Sequence, residues 1–132
     1  MDTENHSNNR VQVSRIAFLV SACAFTVCVV IQTFLAGMAI FDNPSHWTHH
    51  TTFVVWFQLI PIVMLILSFT GNLPKPIRWQ SVGLFVLIVP LQYISIHIPG
   101  LGAIHPVIAL ILFALSFNVI RKTGMFSQER ER

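Results

Sequence analysis

Four long apolar stretches, separated only by short polar breaks, constrain this chain more than any other feature. They cover residues 16–41, 51–70, 79–98 and 104–120. A helix needs about 20 apolar residues, with a range of about 17–25, to cross the hydrocarbon core of a bilayer. Of the 132 residues, 54% are apolar and 10% are charged, whereas about a quarter are charged in soluble proteins. The sequence therefore predicts an all-α integral membrane protein.

The breaks between the stretches are so short that we expect each of them to form a tight turn that reverses the direction of the chain. They contain Asp, Asn, Pro and Gly, which favour turns, and lie at 42–45, 71–74 and 99–102. Short connections between long helices predict an up-down-up-down four-helix bundle over residues 15–122. A polar N-terminal tail, 1–14, is expected to be disordered or interfacial, and a charged tail follows at 123–132.

The basic residues predict the orientation of the bundle. They precede the first stretch, lie between the second and third, or follow the fourth: Arg10, Arg15, Lys75, Arg78, Arg121, Lys122, Arg130 and Arg132. Loops rich in Lys and Arg remain in the cytoplasm, so both termini are expected inside a plasma membrane that the chain crosses four times. Trp79 at the inner boundary and Trp47 at the outer boundary fit the aromatic belts of such proteins.

The first stretch also contains a segment that loosely fits a lipoprotein cleavage box, at residues 20–23. The apolar core of a signal peptide is shorter than this stretch, so an uncleaved helix is predicted. Cys23 and Cys28 lie five residues apart and point to different sides of a helix, so we interpret them as small apolar residues.

The histidines collect on the side opposite to the basic residues. Apart from His6 in the tail, they all map to the outer end: His46, His49, His50, His97 and His105. Just inside them, in the outer half of the membrane, lie Gln32, Gln58 and Gln92. Polar side chains at this depth usually face the interior of a bundle. The sequence therefore places the chemistry of the protein at the outer leaflet.

Helix geometry suits a haem at this end. In an up-down bundle the second and fourth helices are diagonal partners, so His50 (or His49) and His105 share a depth across the core. Two axial histidines on opposed helices hold a haem b in this way. His50 is preferred, because its helix face carries both apolar and polar residues, Val54 and Gln58 among them. The three glutamines would hydrogen-bond around the ligands or to the haem propionates.

Other metals remain open, because imidazole also suits copper and zinc. His97 and His46 are weaker candidates for such a site. Pro61 and Pro90 each free a carbonyl one turn earlier, at Phe57 and Val86, and are predicted to kink the second and third helices.

Several motifs resemble those of a family of small bacterial membrane proteins of unknown function. They are the run at residues 32–37, a histidine entering the second helix, Leu91-Gln92, and the run at 105–109. The resemblance spans about 13–122. The chain is more loosely similar to one half of haem A synthase and to other four-helix b-type cytochromes. That likeness implies His50 or His49 with His105 as ligands, although the extracellular glutamate or cysteine pair of haem A synthase is missing.

The leading functional hypothesis is a haem-binding electron carrier or an accessory to a respiratory or haem-handling system. A cofactor-free assembly or structural subunit, bound to a membrane partner or to its own copies, is the main alternative. A small channel or transporter is a third, although no span contains an acidic or basic residue. Asp42 is the only carboxylate on the outer side, so paired acid-base catalysis is not expected. No feature indicates nucleic-acid binding.

Overall fold

The computed structural model describes residues 2–131, with the side chains of residues 8–95 and 97–127 among them. The side chains of His6 and Arg130, and all of Arg132, lie outside these ranges. The helices are α1 (Asp2–Phe41), α2 (His46–Phe57), α3 (Ile60–Thr70), α4 (Lys75–Val86), α5 (Gln92–His97) and α6 (His105–Glu131). A π-helical turn, Leu87–Leu91, joins α4 to α5, and a 3-10 turn, Leu101–Ile104, precedes α6.

These helices form four spans that are long and apolar enough to cross a membrane: Asn8–Phe41, His46–Thr70, Lys75–Ser95 and Leu101–Ser127. The prediction of an all-helical, four-span protein is therefore confirmed. The ends of the chain differ from the expectation of separate tails, since α1 begins at Asp2 and α6 continues to Glu131. No proline occurs before residue 44 or after residue 106, so nothing there stops a helix from extending beyond the membrane.

One buried stripe on each span builds the core. The stripes have spacings of three and four residues and consist of Phe18, Ala22, Phe25 and Val29; Phe57, Pro61, Met64 and Ser68; Ile77, Ser81, Leu84 and Ile88; and Ile108, Leu112, Ser116, Val119 and Thr123. A repeat that averages about 3.5 residues keeps one face of a helix on its neighbours and favours helices that cross at about 20°. The core is thus that of a four-helix bundle.

The spans run alternately up and down around this core. α1 packs against α2, α3 and α6, α3 packs against α4, and α4 and α5 pack against α6. At one end, which we call the basic end, Arg15 Nε donates to Gly71 O at 2.7 Å and the Arg15 guanidinium lies 5.2 Å from the Phe126 ring centroid. The first and last spans and the connection between the second and third therefore meet at the basic end.

Both prolines that were predicted to kink a helix coincide with an irregularity of the helix. The second span is interrupted at Gln58 and Leu59, ahead of Pro61, so that α2 ends at Phe57 and α3 begins at Ile60. The third span widens into the π-helical turn that contains Pro90. A proline has no N–H and its ring clashes with the carbonyl four residues earlier, and both irregularities relieve that clash.

Most of the helix surface is apolar and uncovered. Only 22–28% of the residues in each apolar window are buried inside the protein. Large apolar side chains such as Val20, Trp56 and Leu110 are 62–71% exposed. Water would oppose a surface of this kind, whereas lipid chains cover it at no cost. The chain thus has the four helices of a multi-pass membrane protein.

The close approach at Gly71 gives a test of the fold. A Cβ atom there would lie 2.9 Å from Leu67 O and 3.3 Å from Arg15 Cγ. We expect Gly71→Ala to lower the melting temperature of the purified protein, with a loss of about 1–3 kcal/mol in stability, because α1 must move away. Gly37→Ala is the matched control, since a Cβ at Gly37 meets nothing within 4 Å. Equal melting temperatures for the two variants would contradict the packing of α1 at the basic end.

Candidate functional site

His50 is anchored to α1 by two hydrogen bonds. Gln32 Nε2 donates to His50 O at 2.9 Å, and His50 Nδ1 lies 3.1 Å from Gln32 O. A carbonyl oxygen only accepts, so His50 Nδ1 carries the hydrogen in this contact. In a neutral ring Nε2 is then unprotonated and has a lone pair to offer to a metal. The region around Gln32, His50 and His105 is called the histidine end below.

His105 meets His50 across the bundle. The centroids of the two imidazole rings lie 6.2 Å apart, with their planes inclined at 54°. His105 is the first residue of α6, where the 3-10 turn ends. Trp47 lies one turn before His50 and packs edge-on against its ring, with centroids 5.4 Å apart. The fold therefore brings together two imidazoles and an indole from the second and fourth spans.

Three polar atoms at the histidine end are buried without a hydrogen-bond partner among the described residues. They are Gln32 Oε1, Gln92 Oε1 and His105 Nδ1. An unsatisfied buried group costs about 1–3 kcal/mol, so each of these atoms is a candidate to hydrogen-bond a ligand. Gln58 is different, because its Nε2 donates to Val55 O of its own helix at 3.3 Å. Two of the three predicted glutamines thus have an unpartnered oxygen at this end.

The other outer histidines do not join this pair. His46 Nε2 lies 3.1 Å from Asp42 Oδ2, and the exposed His49 ring packs against His46 with centroids 5.6 Å apart. His97 is exposed and stacks on Tyr93 at 4.1 Å, with its Nδ1 2.7 Å from Tyr93 O. Within the described side chains, no group of three or more His, Cys, Asp or Glu residues is placed to hold a metal. The predicted gathering of five histidines is therefore three separate arrangements.

Sequence reasoning missed one neighbour of the site. Trp47 was interpreted only as an interfacial residue, although its spacing of three from His50 places both on one side of a helix. Gln80, in the part of α4 near the basic end, also has a buried Oε1 without a partner among the described residues, so such atoms are not confined to the histidine end. Its position four residues before Leu84 in the core stripe was the signal that it faces inward.

Residues 32–98, about half of the chain, match a family model described as a family of unknown function (DUF6220). This agrees with the predicted resemblance to small four-span membrane proteins of unknown function. No curated protein and no solved structure gives a match. The looser likeness to haem A synthase thus gains no support. The matched segment contains Gln32, His50 and Gln92 but ends before His105.

Cross-linking tests whether His50, rather than His49, faces His105. In a background with Cys23 and Cys28 replaced by serine, we expect His50→Cys with His105→Cys to be linked by a short reagent with two thiol-reactive maleimide groups, because the centroids of the parent rings lie 6.2 Å apart. His49→Cys with His105→Cys is the matched control, and this pair should not be cross-linked, since His49 packs on His46. Mobility after proteolytic cleavage between the two cysteines reports the linkage. Preferential cross-linking of the control pair would show that α2 is oriented about its axis with His49, and not His50, toward His105.

Proposed function

We propose that this chain, which belongs to a family of unknown function (DUF6220), holds haem b at its histidine end. His50 and His105 would be the axial ligands, between the second and fourth spans. The role that follows is that of a small membrane electron carrier or an accessory of a respiratory or haem-handling system.

The spacing of the two imidazoles carries this proposal. Two metal–nitrogen bonds of about 2 Å in line, with a ring at each end, place the ring centroids about 6 Å apart. The centroids of His50 and His105 are 6.2 Å apart. The separation of these two rings, on diagonal helices, supports the proposal that one iron binds between them.

The number of ligands favours haem over a bare metal ion. Two imidazoles meet at the histidine end, and a haem iron needs two protein ligands because the macrocycle supplies the other four. Zinc takes four protein ligands in structural sites and three in catalytic sites. Copper sites of the electron-transfer type use two histidines with a cysteine. The pair of His50 and His105 therefore fits haem best.

The surroundings of the pair suit ligation. A metal-bound histidine usually donates its second N–H to a carbonyl or carboxylate, which fixes the ring. The contact from His50 Nδ1 to Gln32 O is of this kind. The side chain of Gln92 has an unpartnered oxygen, and its amide can rotate to present its N–H₂ group to a propionate. When bound, the haem iron would supply one-electron transfer.

Orientation and location follow from charge. The basic side chains that the structure describes all lie at the basic end or on the parts of the helices that flank it, and none lies at the histidine end: they are Arg10, Arg15, Lys75, Arg78, Arg121 and Lys122. The positive-inside rule then supports termini in the cytoplasm and a haem near the outer leaflet of the plasma membrane.

A cofactor-free assembly subunit is the second candidate. It is favoured by the large uncovered apolar surface, of which Phe41 is 88% exposed at the end of α1. Partner helices or further copies of the chain could cover that surface in place of lipid. The channel or transporter hypothesis stays a prediction.

An absorption spectrum tests the haem proposal. We expect protein that is expressed with ample haem and purified in detergent to show a Soret band, which sharpens when dithionite reduces the iron. His50→Ala and His105→Ala should each lose most of the band, because each removes one axial ligand. His49→Ala and His97→Ala are matched controls, since both residues are exposed, and should retain it.

The absence of a Soret band from the spectrum of the parent protein would overturn the proposal. Equal loss of the band in the two control variants would also count against it. Metal analysis of the same sample would then test copper and zinc. Co-purification with one defined partner, and no chromophore, would favour the assembly subunit.

A further inference from the structure

A shallow groove that is largely open to its surroundings, with a volume of about 720 Å³, lies on the surface between α1 and α3, near the basic end. Its α1 wall includes Asn9, Arg10 and Val13, and its α3 wall includes Ile66 and Thr70. It is remote from the histidine end and takes no part in the proposed haem site.

The lining changes from charged to apolar along the membrane normal. The bond from Arg15 Nε to Gly71 O marks the level at which α3 ends. Arg10 lies five residues before Arg15, about 7 Å further toward water, and Ile66 lies five residues before Gly71, about 7 Å deeper in the membrane. The hydroxyl groups of Ser14 and Thr70 lie between these levels.

We propose that this groove binds one anionic phospholipid. The Arg10 guanidinium is placed to pair with the phosphate, as Arg does where bidentate recognition of phosphate is needed. The Asn9 amide lies beside it at headgroup depth. Ser14 and Thr70 lie at the depth of the glycerol and ester groups. Val13 and Ile66, which are 64% and 59% exposed, would contact the acyl chain.

The polarity of the groove identifies the occupant as a lipid. A soluble phosphate would match Arg10 but leave the apolar wall uncovered, and an uncharged lipid would leave the guanidinium without a counter-charge. Basic pockets between membrane helices on the cytoplasmic side favour anionic headgroups. The described walls of the groove contain Arg10 as a cation and no carboxylate, so their charge complements a phosphate.

Lipid titrations of the full-length protein, followed by non-denaturing mass spectrometry, test this site. The probes are phosphatidylglycerol and phosphatidylcholine with identical acyl chains. We expect preferential retention of phosphatidylglycerol, and about fivefold weaker retention by Arg10→Gln, because one basic residue at the surface contributes on this scale. Arg121→Gln is the matched control, an exposed cation of α6 outside the groove, and should bind like the parent.

The variant Ile66→Trp fills the apolar part of the groove and leaves its charge unchanged. It should also reduce retention of phosphatidylglycerol, with melting curves confirming that each variant is folded. Equal retention of the two lipids by the parent would overturn the proposal, as would equal effects of the Arg10 and Arg121 substitutions. Displacement of the lipid by glycerol phosphate at similar concentration would show a headgroup-only anion site and would also overturn it.

Discussion

The hydrogen-bonding demand of the backbone in lipid is the constraint on which this structure depends. Hydrocarbon offers no partner to an N–H or C=O group, so each span must satisfy these groups within its own helix. The two irregularities obey the same demand. Leu59 N donates to Trp56 O at 3.3 Å where the second span is interrupted, and Gln92 N donates to Leu87 O across the π-helical turn. These two amides thus remain paired where the regular helix is interrupted.

Buried polar side chains satisfy this demand at some positions of the bundle and leave it unsatisfied at others. In the bundle core the hydroxyl groups of Ser68, Ser81 and Ser116 donate to carbonyl oxygens of their own helices, so they need no partner from elsewhere. At the histidine end, Gln92 Oε1 and His105 Nδ1 are buried without such a partner among the described residues. Gln92 Oε1 and His105 Nδ1 are therefore free to hydrogen-bond a ligand at the histidine end, whereas these serines are satisfied by the scaffold.

Particular elements show how far the sequence predicted the molecule. The four spans, the two interruptions and the common side of the basic residues agree with expectation, because each follows from local composition. The prediction that all five outer histidines lie close together was too broad. His46 contacts Asp42 and His97 contacts Tyr93, and in each pair the partner lies four residues earlier in the chain. These local contacts hold the two imidazole rings away from the core. The spacing of residues in the sequence does not show whether a histidine ring makes such a local contact or faces the core.

The sequence by itself determined the number of spans, their breaks and the pairing of helices, because length, hydropathy and short connections leave few arrangements. Only the tertiary structure decided that His50, and not His49, faces His105. Adjacent residues of a helix point about 100° apart, so the choice depends on the rotation of α2, which packing of its buried face fixes. It also decided that Arg10 and Ile66 share one groove, since they are far apart in the chain and meet only where α1 and α3 pack as antiparallel neighbours.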